Sequence, residues 1–180
     1  VDISSNNSNG ATFAKVGDVI TISVSASENI QTPTVTIAGN AAVIASGSNG
    51  ERVYTATYTM QSSDNTGVIP FTVDFSDMAN NTGTQVTAVA NDSDGGVTFD
   101  KQAPSFTTVT MSSNNSTSTL AIVNDVITIN LTSDEAIKDG SDPTITVNGN
   151  TATVTRNSTT SFTATYTMSS PADDAVDGSS

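Results

Sequence analysis

The chain has 180 residues, of which 18 are acidic and five are basic, so its formal net charge is −13. It contains no Cys, His or Trp, the residues on which most activated nucleophiles and general bases depend, and we therefore expect no enzyme. The five basic residues are scattered and no apolar run reaches roughly 18 residues, so we expect neither a nucleic-acid partner nor membrane insertion.

Alternating apolar and polar residues predict a series of strands along the chain. In "VITISVSA" (residues 19–26) apolar residues alternate with Thr and Ser, which is the period of a strand with one buried face. In "YTATYTM" (residues 54–60) the same rule places Tyr54 and Tyr58 in the core, with the Thr residues facing water. Further alternating segments are "VIPFTVDF" (68–75), "QVTAVA" (85–90) and "GVTFD" (96–100). Asn-Gly pairs, which favour tight turns, occur at 9–10, 49–50 and 148–149.

The second half of the chain repeats the first half. Four blocks recur in the same order: "SSNN" at 4–7 and 112–115, "GDVITISVSASENI" at 17–30 and "NDVITINLTSDEAI" at 124–137, "PTVTIAGN" at 33–40 and "PTITVNGN" at 143–150, and "YTATYTM" at 54–60 and "FTATYTM" at 162–168. Such a repeat predicts two copies of one folding unit.

Seven or eight short strands in about a hundred residues, separated by turn residues, predict an immunoglobulin-like β-sandwich. We therefore expect an all-β chain of tandem sandwiches, with a first domain at 1–100. Residues 101–108 form the linker and the start of the next strand, and the second domain, 109–180, lacks its last strands. "KQAP" (101–104) in the linker favours an extended, stiff joint because Pro restricts the backbone.

The chain resembles the tandem bacterial Ig-like repeats of large extracellular adhesins and surface proteins. The resemblance is carried by "ASENIQTPTVTIAG" (26–39), "YTATYTM" (54–60), "IPFTVDFSDMANN" (69–81) and "VTFDKQAP" (97–104). It implies an extracellular or cell-surface location, which the Thr-, Ser- and Asn-rich composition also favours.

The second copy stops where the first continues from Gly67 to Asp100 with its last strands. One interpretation is that the sequence is an excerpt from a longer array of repeats. The other is that a neighbouring chain donates the missing strands, as in donor-strand fibres. The sequence does not choose between them.

Carboxylates near the predicted loops at one end of each sandwich suggest a Ca²⁺ site, since Ca²⁺ takes six to eight oxygen ligands. In the first domain the candidate ligands are Glu28, Asp77 and Asn80. At the joint, Asp100 would meet acids of the second domain. Those acids are Asp134, Glu135, Asp139 and Asp142. The alternative is that all these residues are solvated turn formers and caps.

Two other features are given structural interpretations. "DSDGG" (92–96) is acidic, but it lies between two alternating segments and is interpreted as a surface turn or bulge. The tyrosines Tyr54, Tyr58 and Tyr166 are interpreted as core residues rather than as platforms for a sugar ring.

The predicted function is mechanical. The chain would be a spacer or stalk segment of a bacterial surface adhesin, with neighbouring repeats as its partners and an unknown adhesion target. Calcium between domains is the hypothesis for what stiffens it. A self-assembling filament or surface layer with strand donation between copies is one alternative. A carbohydrate- or protein-binding module is the other.

Overall fold

The computed structural model describes residues 1–90 and 96–169, and all the regular structure in these residues is β-strand. The prediction of an all-β protein is therefore confirmed. By its contacts the chain divides into two compact units, Val1–Gln102 and Ala103–Ser180. Within the described residues, no helix has the length and apolar character that a membrane span requires. "DSDGG" (92–96), except Gly96, and the tail that follows Ser169 lie outside the described residues.

The strands of the first unit come mainly from the alternating segments. They are β1 (Asp2–Ser5), β2 (Phe13–Ala14), β3 (Val19–Ile30), β4 (Thr34–Ile37), β5 (Asn40–Ala41), β6 (Val43–Ser46), β7 (Glu51–Thr59), β8 (Gly67–Val68), β9 (Phe71–Asp74) and β10 (Thr98–Phe99). One four-stranded sheet has the order β1-β3-β7-β6, and two three-stranded sheets have the orders β5-β4-β9 and β2-β10-β8. β2 and β10 pair in parallel, whereas the other strand pairs in this unit are antiparallel.

The core of the first unit lies between these sheets, as in a β-sandwich. Ile20, Ile22 and Tyr54 enter it from the four-stranded sheet, because alternate residues of β3 and β7 point to the same face. Val35 and Phe71 enter it from the opposite sheet. Full burial of such side chains contributes about 1.5–3 kcal/mol each, so the predicted alternation accounts for the core.

The second unit has the strands β11 (Phe106–Ser113), β12 (Val126–Ser133), β13 (Thr146–Val147), β14 (Asn150–Thr151), β15 (Thr153–Arg156) and β16 (Ser161–Thr167). Its four-stranded sheet has the order β11-β12-β16-β15, and β13 pairs with β14 as a hairpin.

The four-stranded sheets of the two units have the same register. Ile3 lies opposite Ile22 in the first unit, and Met111 lies opposite Ile129 in the second. The two copies of the repeated heptad form β7 and β16, which occupy the same place in their sheets. The repeated sequence blocks therefore form equivalent sheets.

One predicted strand is nearly absent. "QVTAVA" (85–90) forms only an isolated bridge between Val86 and Val73. Val86 and Val89 both pack against the core, and residues three apart cannot share one face of a strand. The segment therefore crosses the core edge as an irregular chain, and the prediction of a strand there was wrong.

Candidate functional site

Asp77, one of the predicted calcium ligands, organises its own turn. Its carboxylate accepts hydrogen bonds from the backbone N–H groups of Ala79 and Asn81, both at 2.8 Å, and from the side-chain amide of Asn81 at 2.7 Å. The amide of Asn81, followed by its backbone N–H, lowers the pKa of Asp77 below its usual range. Asp77 therefore acts as the acceptor of an Asx turn.

Asn80 and Glu28 lie near this turn. Asn80 has a positive φ of 69°, which Asn tolerates better than most residues, and its Oδ1 accepts a hydrogen bond from Gln31 Nε2 at 2.8 Å. Gln31 Nε2 also donates to the backbone oxygen of Asp77 at 2.9 Å. Glu28 is exposed near the end of β3. Two of these predicted ligands, Asp77 and Asn80, are thus used to fix a loop.

Asp134 in the second unit holds the start of β11. Its carboxylate accepts hydrogen bonds from the backbone N–H and the hydroxyl of Ser105, both at 2.8 Å. The N–H of Ser105, followed by its hydroxyl, lowers the pKa of Asp134. The next residue, Glu135, accepts a hydrogen bond from the Ser133 hydroxyl at its backbone oxygen, at 2.6 Å.

Asp139 and Asp142 lie beside Arg156 of β15. Asp142 Oδ1 accepts hydrogen bonds from Nε, at 2.8 Å, and Nη2 of Arg156, and Asp139 Oδ1 lies 3.8 Å from Nε. The guanidinium also donates to the backbone oxygens of Ile137 at 3.0 Å and Lys138 at 2.8 Å. Arg156 therefore already pairs with the Asp142 carboxylate, which is a contact that the sequence analysis did not predict.

Asp100, the remaining predicted ligand, is exposed and accepts a hydrogen bond from the backbone N–H of Gln102 at 3.0 Å. Asp100 belongs to the first unit, whereas Asp134 and the acids that follow it belong to the second. In residues 1–90 and 96–169, no three acidic side chains are grouped closely enough to hold a metal ion. The calcium site, which combines residues of both units, stays a prediction.

A cleft of about 370 Å³ opens in the first unit beside the Asp77 turn. Its apolar lining includes Val24, Ile30 and Phe75, and Glu28 and Asp77 are among its polar lining residues. Since the Asp77 carboxylate is held by its own turn, Glu28 is the acid that remains available to a ligand. The cleft can accept an apolar group with a neutral or cationic polar end.

The repeated "SSNN" string forms a hydrogen-bonded clamp in each unit, and the sequence analysis used it only as a repeat marker. In the first unit the Asp18 carboxylate accepts hydrogen bonds from Asn7 Nδ2 at 2.6 Å and the N–H of Lys15 at 2.8 Å. In the second, Asp125 accepts them from Asn115 Nδ2 at 2.7 Å and the N–H of Ile122 at 2.8 Å. The Asn115 amide, followed by the Ile122 N–H, lowers the pKa of Asp125. The recurrence of an Asn and an Asp in both copies was the signal for this clamp.

A second Asn in each "SSNN" string completes the clamp. Asn6 Oδ1 accepts a hydrogen bond from the N–H of Val19, and Asn114 Oδ1 accepts one from the N–H of Val126, both at 2.8 Å. These bonds tie the end of the first strand of each sheet to the start of the strand beside it. The clamp is therefore structural, and it is built twice from the same residue types.

Asp64 is a buried acid in the loop after β7, at the end of the four-stranded sheet opposite the Asp77 turn. Its carboxylate accepts hydrogen bonds from the N–H of Gln61 at 2.7 Å and from the hydroxyl of Tyr58 and the amide of Asn40, both at 3.2 Å. Burial, followed by the hydrogen bond and the negative charge of Asp64, raises the pKa of Tyr58. Lys101 Nζ donates to the backbone oxygen of Asp64 at 2.8 Å. These contacts fix the loop after β7 and do not form a nucleophile with its base.

The parallel pair β2–β10 joins an early segment of the first unit to its last strand. The N–H of Thr98 donates to the oxygen of Thr12 at 2.9 Å, and the N–H of Asp100 donates to the oxygen of Ala14 at 2.8 Å. Ala14 and Phe99 of this pair are buried in the core. The described residues of the second unit contain no parallel pair of this kind.

Comparison of the chain with protein-family models, with curated proteins and with solved structures found no match.

Proposed function

We propose that this chain is a load-bearing spacer segment of an extracellular bacterial surface protein, built from immunoglobulin-like repeats. The proposal combines the resemblance to tandem bacterial Ig-like repeats with the all-β, sandwich-like units. Its role would be to hold a distal adhesion module away from the cell, and it requires no catalytic centre. The high negative charge would keep neighbouring chains apart.

The observation that carries the mechanical role is the parallel pairing of β2 with β10. β2 lies near the start of the first unit and β10 at its end, so tension along the chain pulls these parallel strands in opposite directions. The two interstrand hydrogen bonds, Thr98 N–H to Thr12 O and Asp100 N–H to Ala14 O, are then loaded together rather than one after the other. Because Ala14 and Phe99 are buried, water has limited access to replace these bonds during extension.

Single-molecule force spectroscopy on the 180-residue chain tests this role. We expect two unfolding events, of which the first unit requires the larger force. The substitution Thr98→Pro removes one loaded N–H donor and is expected to lower the unfolding force of that unit. Thr98→Val, which keeps the N–H, is the matched control and should leave the force unchanged.

An equal unfolding force for Thr98→Pro and Thr98→Val would contradict the role of the parallel pair, provided both variants retain the circular dichroism of a folded chain. If Thr98→Pro does not fold, the comparison of the two unfolding events in the unmodified chain still tests the proposal. Similar low forces in both events would then count against it.

A Ca²⁺ ion between Asp100 and the acids of the second unit is a further part of this proposal. Calcium is expected to raise the melting temperature of the chain, because binding to the folded state alone stabilises it. Asp100→Asn should reduce that rise, whereas Asp2→Asn, which removes an equal charge from an exposed strand residue, should not. An unchanged melting temperature over a calcium titration would remove the ion from the proposal.

The cleft beside Asp77 favours a second candidate function, that of a module which binds a small molecule or a protein side chain. Its apolar lining and acidic Glu28 suit a ligand with an apolar body and a cationic end. A screen of such amines by NMR, repeated with Glu28→Gln, tests this candidate. Shifts confined to the cleft in the unmodified chain and weakened in Glu28→Gln would support it.

A further inference from the structure

The chain contains three Asn-Gly pairs, at residues 9–10, 49–50 and 148–149. Each pair has the chemical groups for deamidation, a reaction that needs no enzyme. The backbone nitrogen of the glycine attacks the side-chain Cγ of the asparagine, the bond from Cγ to Nδ2 breaks, and ammonia leaves with the amide proton. Water then opens the resulting succinimide ring to an aspartate or an isoaspartate. Glycine favours the attack because no Cβ hinders the approach of its nitrogen.

The fold protects the pair Asn49-Gly50. The N–H of Gly50 donates to Ile30 O at 2.9 Å, and Asn49 Oδ1 accepts a hydrogen bond from the N–H of Thr32 at 3.2 Å. The glycine nitrogen is thus held by its own hydrogen bond, and the asparagine carbonyl is held towards Thr32. Both bonds have to break before the nitrogen can reach Cγ, so this pair reacts only after local opening of the loop.

The pair Asn9-Gly10 is protected less strongly. The N–H of Gly10 donates to Asn7 O in a turn, and this bond is longer, at 3.2 Å. The Phe13 ring lies 3.5 Å from the position that a Cβ would occupy on Gly10, so one side of this glycine is partly covered. We therefore expect an intermediate reactivity for Asn9.

The pair Asn148-Gly149 has the most accessible glycine nitrogen. The pair forms the exposed two-residue turn of the β13–β14 hairpin, with φ of 48° and 79°, and such a turn leaves the N–H of its second residue outside the strand ladder. In the described part of the chain, the N–H of Gly149 makes no hydrogen bond. No described atom lies within 4 Å of the position that a Cβ would occupy on Gly149. Its nitrogen is therefore unobstructed.

The equivalent turn of the first unit has the same open geometry. Gly39 there is exposed, and its N–H likewise makes no hydrogen bond among the described residues, although β9 flanks β4 of that hairpin. A further strand beside β13 would therefore leave the N–H of Gly149 accessible. Gly39 is preceded by Ala38, which has no side-chain carbonyl to react. Of these two hairpin turns, only that of the second unit can deamidate.

We propose that Asn148 is a deamidation site and that its reaction destabilises the second unit over time. An isoaspartate at this position lengthens the main chain of the turn by one atom. The hairpin pairs Val147 with Asn150 and Thr146 with Thr151, and the length of the turn sets this register. Lengthening the turn therefore loosens the pairing of β13 with β14. The inference is independent of the proposed mechanical role.

Mass spectrometry of the 180-residue chain, incubated at pH 8 below its melting temperature, tests the site. Digested samples give the deamidation rate at each Asn-Gly pair, and enzymatic methylation identifies isoaspartate. Asn148 should react at least about tenfold faster than Asn49, because two hydrogen bonds have to open at Asn49, and Asn9 should lie between them. The same chain unfolded in urea is the matched control. There the three pairs should react at similar rates.

Two chain variants link the reaction to the second unit. Asn148→Gly removes the reacting side chain and keeps a residue that tolerates the positive φ of the turn. After incubation, the melting temperature of the second unit should fall in the unmodified chain and stay at its initial value in Asn148→Gly. Asn9→Gly removes another exposed Asn-Gly pair and should still show the fall.

Three outcomes would overturn the proposal. One is a deamidation rate at Asn148 in the folded chain that is no higher than the rate at Asn49. Another is the same order and ratio of rates in urea, which would mean that the fold does not select the site. The third is an equal fall in melting temperature for Asn148→Gly and the unmodified chain, which would place the damage elsewhere.

Discussion

The two units share one four-stranded sheet but differ in what covers it. In the first unit β9, Val86 and Val89 complete the core above that sheet, and the side chain of Ile3 is buried. In the described part of the second unit only the β13–β14 hairpin and its flanking residues take that role, and the side chain of Met111 is exposed. The sheet therefore forms from local strand pairing and alternation, whereas burial of its inner face depends on segments far along the chain.

The two units also differ in the side chain that donates a hydrogen bond to one equivalent backbone carbonyl, that of Ile30 or Ile137. The hydroxyl of Tyr54 donates to Ile30 O at 2.9 Å in the first unit. In the second unit Phe162 replaces this tyrosine, and Arg156 donates to Ile137 O at 3.0 Å. The guanidinium carbon of Arg156 lies 5.0 Å from the centre of the Phe162 ring, close enough for a cation–π contact. The Ile30 carbonyl also accepts the N–H of Gly50 at 2.9 Å. The side chain is therefore an additional donor, and it comes from β7 in the first unit and from β15 in the second.

The largest expected difference follows from the burial of β1 and β11. Ile3→Ala should lower the free energy of unfolding of the first unit by about 2–3 kcal/mol, because it removes buried methyl groups. Met111→Ala should change that of the second unit by no more than about 0.5 kcal/mol, because Met111 is exposed. Denaturant unfolding of both variants measures the contrast. Similar losses would mean that the two strands are equally covered in solution.

The exchange of carbonyl donors gives the next prediction. Tyr54→Phe should destabilise the first unit by about 1–2 kcal/mol, because it removes the hydroxyl whose single proton is shared between Ile30 O at 2.9 Å and Ser48 O at 2.7 Å. Phe162→Leu changes the equivalent buried residue of the second unit without removing a hydroxyl. Its loss of stability measures the cost of altered packing alone. Chemical denaturation provides the measurement. A Tyr54→Phe variant as stable as the unmodified chain would show that water replaces the hydroxyl.

The hairpin turns differ at one residue. The first unit has Ala38 at φ 52° and the second has Asn148 at φ 48°, each followed by a Gly with positive φ. Asn148→Ala should destabilise the second unit by about 1 kcal/mol, because Ala is disfavoured in the left-handed region. Asn148→Gly, which removes this strain, should be closer to neutral. Thermal melting of the two variants measures the difference in stability. A lower melting temperature for Asn148→Gly than for Asn148→Ala would contradict the explanation by backbone strain.

The smallest predicted effect concerns the acid dependence of the clamp in the second unit. The folded-state pKa of Asp125 is lowered, so its stabilising contribution is present above the unfolded pKa of about 4 and lost as the pH falls through the folded-state pKa. Asp125→Asn keeps an acceptor oxygen but does not titrate. The melting temperatures at pH 6 and pH 3 should therefore differ less in the variant than in the unmodified chain. Part of the remaining pH dependence comes from Asp134, whose pKa is also lowered. An unchanged pH dependence would contradict this role of Asp125.

Much of the strand content could be predicted, because alternation reports directly on the two faces of a strand. The prediction succeeded for the long strands β3, β7, β12 and β16, whose inner residues are mostly buried. It failed at residues 85–90, where Val86 and Val89 both reach the core without forming a strand. The immunoglobulin-like topology and the family remain predictions.

The candidate site was less predictable. An acidic residue in a loop can be a metal ligand, a turn acceptor or an ion-pair partner, and its sequence context does not distinguish these roles. Asp77 accepts hydrogen bonds from its own turn, and Asp142 pairs with Arg156, fourteen residues away. Only the folded chain brings such partners together.

The sequence by itself determined that the chain is β-structured, that one sheet occurs twice, and which residues line its inner face, because strand periodicity and repetition are local properties. The tertiary structure decided which of those residues are buried, which carbonyl is satisfied by Tyr54 or Arg156, and how the parallel pair β2–β10 forms. The reason is physical: burial and hydrogen-bond partnership are relations between segments separated by tens of residues, and only folding brings those segments into contact.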